Sequence, residues 1–177
     1  NVETGDFQNF EMDLIKYFGI NSPLNEQEFL QVKNADELTE KVFHAAHQHY
    51  REKTAALAAR AFPIINDVYT NQGQTFENIV VPFTDGLRNA QVMVNLKKAY
   101  DTRGAELVTS LERNITLAII DDEWKEHLRA MDDLKQSVQN AVYEQKDPLL
   151  IYKFESFKLF TQVLDMINKD ILGFLFK

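Results

Sequence analysis

The stretch "AELVTSLERNITLAIIDDEWKEHLRAMDDLKQSVQ" (residues 105–139) decides the fold, since it contains neither glycine nor proline over its whole length. Within it, residues suited to a buried face recur at steps of three and four, which is the spacing of one side of a helix. This series consists of Ile120, Trp124, His127, Met131, Leu134 and Val138. The stretch therefore predicts one long α-helix, about 50 Å in length at ~1.5 Å per residue.

A second helical segment follows after a short break and continues towards the C-terminus. Its apolar series is Leu150, Phe154, Phe157, Thr161, Leu164, Ile167, Ile171 and Phe174. Asp147 is predicted to be the N-cap, and Pro148 suits the first helical position, where the missing N–H has no cost. Two long helices with a short connection predict an antiparallel helical hairpin. Tyr143 would lie at its tip.

The chain before these helices contains several shorter elements. Residues 6–19 place apolar side chains on one face of a helix that Gly19 can end. Asn25 and Asn34 are each followed three residues later by a glutamate, the pattern of the capping box. Both asparagines are therefore predicted to begin helices.

The helix that begins after residue 34 is predicted to run to about Phe62, where Pro63 kinks or stops it. Residues 77–95 then have β-branched side chains on both sides of Asp85 and Gly86, which is a hairpin signal. The whole sequence therefore predicts a mainly α fold with a small β-hairpin, followed by a long antiparallel two-helix hairpin.

The composition excludes several classes of function. With 45% hydrophobic and 26% charged residues in a chain of 177, the protein is expected to fold around a real core. The absence of cysteine excludes disulfides, thiolate zinc sites, cysteine nucleophiles and iron-sulfur clusters. The net charge of -8, without a basic run, opposes nucleic-acid binding. We therefore expect no nucleic-acid partner.

Neither end of the chain has the pattern of a membrane or targeting segment. The longest apolar stretch near a terminus, residues 171–176, is much shorter than the ~20 residues of a membrane-spanning helix. The sequence begins at Asn1, without methionine or a signal-like segment, so we expect it to be a piece of a larger protein.

Three histidines are the first candidates for a chemical site. His44, His47 and His49 cluster on a predicted helix, and the first two are one turn apart, a spacing that can bind zinc. No HExxH motif and no Glu-x-x-His pair occurs in the sequence. Histidines partly exposed on a helix surface are therefore the favoured interpretation, and no metal ligands are predicted.

Carboxylates and glycines give no stronger indication of catalysis. Asp121, Asp122, Glu123 and Glu126 surround Trp124, but four acids within six helical residues point in several directions. A solvated face with intrahelical ion pairs is favoured over general acid-base catalysis. The glycines form neither a P-loop nor a GxGxxG motif. No catalytic and no cofactor-binding residue is predicted.

The aromatic residues of the two long helices are predicted to be core residues, with one exception. Trp124 continues the apolar series, and Phe154, Phe157 and Phe160 are likewise expected to pack. Tyr143 falls among polar residues where the helical pattern stops. It is either exposed at the turn or folded back against the hairpin.

Residues 121–167 resemble the C-terminal helical region of the SecA family, the ATP-driven motors of bacterial preprotein secretion. The matching elements keep many fixed offsets over this range. They are Trp124 to Leu128, Ala130 to Asp132, Tyr143, Gln145 to Pro148, Tyr152 with Lys153, and Glu155 to Phe157. The resemblance implies a helical wing domain at residues 1–103 and a helical scaffold segment with a two-helix finger at residues 104–177.

The resemblance also implies a role for the tip of the helical hairpin. Tyr143, with Gln145 and Lys146, would contact translocating preprotein at the mouth of the SecY channel. Structural positions of the family motif would be Trp124, His127, Met131, Asp147, Pro148 and Phe157. Family members commonly carry Arg-Gly before this tyrosine and Ala after it, where this chain has Ala141, Val142 and Glu144.

The motor chemistry implied by the resemblance lies outside this chain. ATP and magnesium would bind to N-terminal ATPase domains, which the finger helices would contact in cis. The full-length protein would be cytoplasmic and peripheral at the bacterial inner membrane, with the SecY channel complex and unfolded preprotein as partners. Two alternatives stay open: a non-enzymatic helical module for protein–protein interaction, and a stand-alone metallohydrolase.

Overall fold

The computed structural model describes residues 6–32, 34–73, 75–86, 88–140 and 147–177. Within these ranges the chain is mainly helical, with one two-stranded antiparallel sheet. The helices are α1 (Phe7–Phe18), α2 (Glu26–Gln31), α3 (Ala35–Gln72), α4 (Leu96–Asp101), α5 (Ala105–Asn140) and α6 (Pro148–Leu175), and the strands are β1 (Asn78–Thr84) and β2 (Asn89–Asn95). The predicted fold class is confirmed.

The chain divides into two compact units. The first unit comprises residues 1–114 and 172–177, and the second comprises residues 115–171. Both dividing points fall inside long helices, α5 and α6. The assignment of a wing domain to residues 1–103 and a scaffold segment to 104–177 stays a prediction.

Local hydrogen bonds set the ends of the first helices. Gly19 ends α1 in the left-handed region at φ 62°, and its N–H donates to Ile15. Asn25 and Glu28 form the complete capping box predicted for α2, with both bonds at 2.9 Å. At α3 the predicted box is wrong in one respect: Asn34 accepts from the N–H of Asp36 at 2.9 Å. The Glu37 carboxylate instead pairs with Lys41 one turn later, at 2.8 Å.

Helix α3 does not end at Pro63 but continues to Gln72, so the predicted end near Phe62 is wrong. Proline removes one helical hydrogen bond and crowds the preceding turn. Packing on both sides of it offsets this cost. Before the proline, the Phe62 ring lies 6.2 Å from the Tyr100 ring between centroids; after it, Ile65 is buried, and the Tyr69 ring stacks on Tyr100 at 4.2 Å. Tertiary contacts therefore override the local break signal.

The predicted β-hairpin is confirmed. β1 and β2 pair antiparallel, with Val81 opposite Val92. In the turn, the Asp85 carboxylate accepts from the N–H of Arg88 at 2.6 Å, and Gly86 adopts φ 89°. β2 buries Val92 and Val94 on one side, and α4 directly after it buries Leu96 and Ala99. The hairpin is thus anchored in the first unit by its second strand.

Two small apolar clusters join α1 and α2 to the start of α3. One contains Leu14, Ile20 and Ala46, and the other contains Leu24, Phe29 and Leu38. Phe10 packs against both clusters, and its ring stacks on Phe29 at 4.8 Å between centroids.

In the second unit, α5 and α6 form the predicted antiparallel pair. His127 and Phe160 are about equally far in sequence from the break between the two helices, His127 before it and Phe160 after it. Their ring centroids are 6.2 Å apart, as expected for an antiparallel pair. We call the buried residues of this unit the seam. The seam contains Ile115, Ile119, His127 and Val138 of α5 with Val163 and Ile167 of α6.

The structure corrects the predicted packing of several aromatic residues. Trp124 is 42% exposed and Phe157 is 72% exposed, and Phe154 and Phe160 also lie on the surface of the chain. Helix α6 carries two apolar series with helical spacing, and only the one containing Val163 faces the seam. Periodicity alone does not tell which of two such series faces the partner helix.

Candidate interaction surface

The second unit exposes an apolar surface, which we call the outer face. It is built from two rows with helical spacing, one on each helix. The α5 row is Leu117, Ile120, Trp124 and Leu128, and the α6 row is Leu150, Phe154, Phe157, Phe160 and Leu164. All nine side chains are exposed in this chain. Contiguous exposed apolar side chains of this kind mark a site of interaction.

His127 joins the two rows of the outer face. Its imidazole is buried, with centroids 5.0 Å from the Trp124 ring and 6.2 Å from the Phe160 ring. Because one buried ring contacts an aromatic from each row, the two rows meet at His127. Position 127, predicted as structural, is therefore a packing residue beneath this surface.

The carboxylates near Trp124 form helix-surface ion pairs, as predicted. Asp121 accepts from Lys125, and Glu126 pairs with Arg129. The hydrogen bond to Asp121 raises the pKa of Lys125 above its ordinary value. All four of these side chains are largely exposed, so the pairs add little stability and serve as a solvated polar face beside the outer face.

The predicted beginning of α6 is confirmed in detail. The Asp147 side chain accepts from the N–H of Leu149 at 3.0 Å and of Leu150 at 3.4 Å. Pro148 is the first helical residue. Of the other predicted positions, Met131 is half-buried on α5. Tyr143, Gln145 and Lys146 lie outside the described residues, so their placement stays a prediction.

The clustered histidines of α3 lie partly exposed on that helix, as expected. His44 and His47 are exposed, and His49 is half-buried with its ring 6.5 Å from Phe176. Over the described ranges, no group of three or more His, Asp or Glu side chains is arranged to hold a metal ion.

Sequence reasoning missed a polar contact inside the first unit. The Tyr50 hydroxyl of α3 donates to the Glu112 carboxylate of α5 at 2.9 Å. Burial, and then this hydrogen bond, raise the pKa of Tyr50 far above its ordinary range. One turn later, Lys53 donates to the carbonyl oxygen of Leu175 at 3.2 Å, and burial lowers the pKa of Lys53. A partner 62 positions away leaves no local pattern in the sequence.

Comparison with known proteins identifies the family. The family model described as the SecA Wing and Scaffold domain matches residues 1–177. The protein translocase subunit SecA of Flavobacterium psychrophilum is 56% identical over 177 residues, which is 100% of this chain and 16% of the relative. The corresponding subunit of Christiangramia forsetii is 54% identical, with the same coverage of both chains. That of Phocaeicola vulgatus is 47% identical over 176 residues, 99% of this chain and 16% of the relative.

These matches place the chain in the class of wing and scaffold domains. The chain belongs to the SecA family, as its wing and scaffold region, which confirms the resemblance. It spans 16% of the length of these relatives. No solved structure matches it. Among the helices that the structure describes, none is both long enough and apolar enough to cross a membrane.

Proposed function

We propose that this chain is the wing and scaffold part of an ATP-driven motor that exports proteins through the SecY channel. ATP and magnesium bind to ATPase domains outside this chain, and the helical pair of α5 and α6 couples those domains to the moving polypeptide. The motor works in the cytoplasm and at the periphery of the inner membrane, where its channel partner lies. Membership in the translocase family and the exposed outer face support this proposal.

The outer face carries the structural part of the proposal. The seam already fills one side of each helix, so a second apolar row on each helix has no role in holding the pair together. Phe157, at 72% exposure, contributes a large apolar area that water solvates poorly. The ATPase domains of the same protein are the proposed cover of this face. The helical pair would then move with them as one arm.

The tip of the arm is the proposed site of preprotein contact. Tyr143 would contact the translocating chain, with Gln145 and Lys146 beside it, as the family resemblance implies. A tyrosine suits this task because its ring packs against varied side chains and its hydroxyl makes a hydrogen bond. Neither contact requires a particular substrate sequence. Two packed helices are stiff enough to carry motion from the ATPase domains to such a tip.

Crosslinking tests the tip assignment. A photoreactive residue in place of Tyr143 in the full-length protein should crosslink to a stalled preprotein or to SecY. The same probe at Ile64, which is 69% exposed on α3, is the control and should give neither product. Equal yields at both positions, or no product at Tyr143 when a known preprotein-contacting probe works, would contradict the assignment.

A substitution in the outer face separates the proposal from the alternative of a plain helical interaction module. Phe157→Ser leaves the seam intact, so the fold should persist while the contact with the ATPase domains weakens. We expect a change in ATP turnover of the purified full-length protein without any partner present. If ATP turnover is unchanged and only binding to a separate protein is lost, the interaction module is the better description.

A further inference from the structure

The first unit contains an apolar cavity that the proposed function does not use. It has a volume of about 630 Å³ and lies along the N-terminal half of α3, between that helix, α1 and the last residues of α6. Its walls are mostly aromatic and aliphatic, and include Phe10, Phe18, Val42, Phe43, Tyr50 and Phe176. Ligand pockets in proteins commonly have volumes of roughly 300–1,000 Å³. The cavity is thus large enough for a small molecule.

Few polar groups inside the cavity are available to a ligand. The Thr39 hydroxyl donates to the carbonyl oxygen of Ala35 at 2.8 Å. The Tyr50 hydroxyl donates to Glu112 at 2.9 Å. Both hydroxyl protons are therefore already engaged within the protein. A polar ligand group buried here would lose its hydrogen bonds to water, so the occupant must be apolar over most of its length.

The mouth of the cavity has a different character. Phe43 is 62% exposed, and its ring lies nearly parallel to the His47 imidazole, with centroids 5.8 Å apart. His47 also lines an adjoining polar recess of about 460 Å³, together with His44, Gln48, Arg51 and Glu52. His47 thus connects an apolar space to a polar one.

The polar recess offers donors for an anion. Gln48 donates to one oxygen of the Glu52 carboxylate at 2.9 Å, which holds that side chain beside Gln48. Arg51 is the permanently charged cation among the lining residues, and a guanidinium presents only donors. Each of the two imidazoles has a ring N–H that can donate. Arg51 and the ring N–H groups of the two histidines are donors from which a carboxylate can accept.

We propose that the two recesses together bind a monomeric single-chain amphiphile of the long-chain fatty acid class. The tail lies among the rings beside α3, and the carboxylate lies towards Arg51, His47 and His44. From Leu38 to Arg51 the site extends about 20 Å along α3, since each helical residue rises ~1.5 Å. Burial of the tail supplies most of the affinity, and the charge-assisted hydrogen bonds fix its direction.

A displacement assay with the full-length protein tests this site. An intrinsically fluorescent polyene fatty acid is titrated below its aggregation concentration, and a saturated long-chain fatty acid is added as competitor. We expect saturable binding and full displacement. The matched long-chain alcohol, which lacks the charge, should compete about tenfold less well. The readout is binding, so it does not depend on translocation activity.

Substitutions at two exposed positions of α3, each with a control on the same helix, locate the bound ligand. Arg51→Gln should weaken the acid about tenfold and leave the alcohol unchanged, while Arg60→Gln should change neither. Phe43→Asp should abolish binding of both ligands, whereas Ile64→Asp, at a position 69% exposed, should not.

Three results would overturn the proposal. One is the absence of saturable binding to the unmodified protein. Another is equal affinity for the acid and the alcohol, which would mean that the polar recess contributes nothing to binding. The third is binding that survives Phe43→Asp while circular dichroism shows an intact fold, which would place the ligand elsewhere.

Discussion

Gly104 lies directly against the backbone of Ala58, so that a Cβ at position 104 would be 2.7 Å from the Ala58 carbonyl oxygen. Gly104 also adopts φ 90°, a conformation that other residues rarely take. This glycine is where the chain turns from α4 into α5, and its missing side chain lets the turn approach α3. The start of the long helix is therefore fixed by a close backbone contact.

Gly104→Ala should destabilise the first unit by about 2–3 kcal/mol or more, because strain at positive φ and a clash with rigid backbone add together. Urea denaturation followed by circular dichroism measures the loss. Gly86→Ala is the matched control, since Gly86 has φ 89° but no atom within 4 Å of the added carbon. If both variants lose the same free energy of unfolding, the contact of the added Cβ with Ala58 contributes nothing to the loss.

Tyr50→Phe should lower the free energy of unfolding by about 1 kcal/mol at neutral pH, the usual worth of one hydrogen bond. The effect should depend on pH. Burial and the Glu112 bond raise the pKa of Tyr50 above 10.0, so in alkali the unfolded chain loses this proton first. Stability contributed by Tyr50 is then present below the unfolded pKa and falls as pH rises beyond it.

Denaturation of the wild type and Tyr50→Phe at about pH 8 and about pH 11 measures this dependence, with the lower value below and the upper value above the pKa of a free tyrosine. The difference between the two proteins should shrink at the higher pH. Glu112→Gln keeps an acceptor oxygen without the charge, and should retain the same direction of change. A constant difference at both pH values would contradict the assigned titration.

Asp147→Ala should destabilise the start of α6 by about 1 kcal/mol, because the Leu149 N–H loses its acceptor. Thermal melting of the chain measures the loss, and hydrogen exchange at Leu149 should become faster. Asp147→Asn keeps an oxygen in the same position and should stay close to the wild type. If Asn is as damaging as Ala, the charge matters more than the cap.

Ile167→Ala and Leu164→Ala compare two similar apolar residues of α6 that differ in burial. Ile167 is 8% exposed in the seam and Leu164 is 43% exposed on the outer face. We expect a loss of about 2–4 kcal/mol for the first and less than about 1 kcal/mol for the second in the 177-residue chain. Chemical denaturation distinguishes them. Similar losses would mean that the seam is misassigned.

The elements best predicted from sequence are those set by local chemistry. α5 was expected at residues 105–139 and is observed at Ala105–Asn140, because no glycine or proline interrupts it. The start of α6 follows from the N-cap and the proline after it. In contrast, α3 passes through Pro63 because of contacts with Tyr100, which is distant in sequence. Such contacts leave no signal near the proline.

The candidate surface was less predictable than the elements that carry it. The Phe157 row has the spacing of a core face, so its exposure became visible only when Val163 and Ile167 were seen to fill the seam. A sequence in which both sides of a helix are apolar does not show which side meets the partner helix and which meets another domain. The tip residue Tyr143 lies outside the described residues and stays a prediction.

Pro148 also makes the start of α6 independent of changes in the segment before it. Proline has no N–H and disfavours helical conformation in the residue ahead of it, and the Asp147 side chain caps the helix there, so α6 begins at Pro148. Insertions, deletions or substitutions at residues 141–146 would therefore leave every later side chain on the same side of α6. Evolution, or a protein engineer, can alter the chemistry of that segment while the outer face keeps its arrangement on α6.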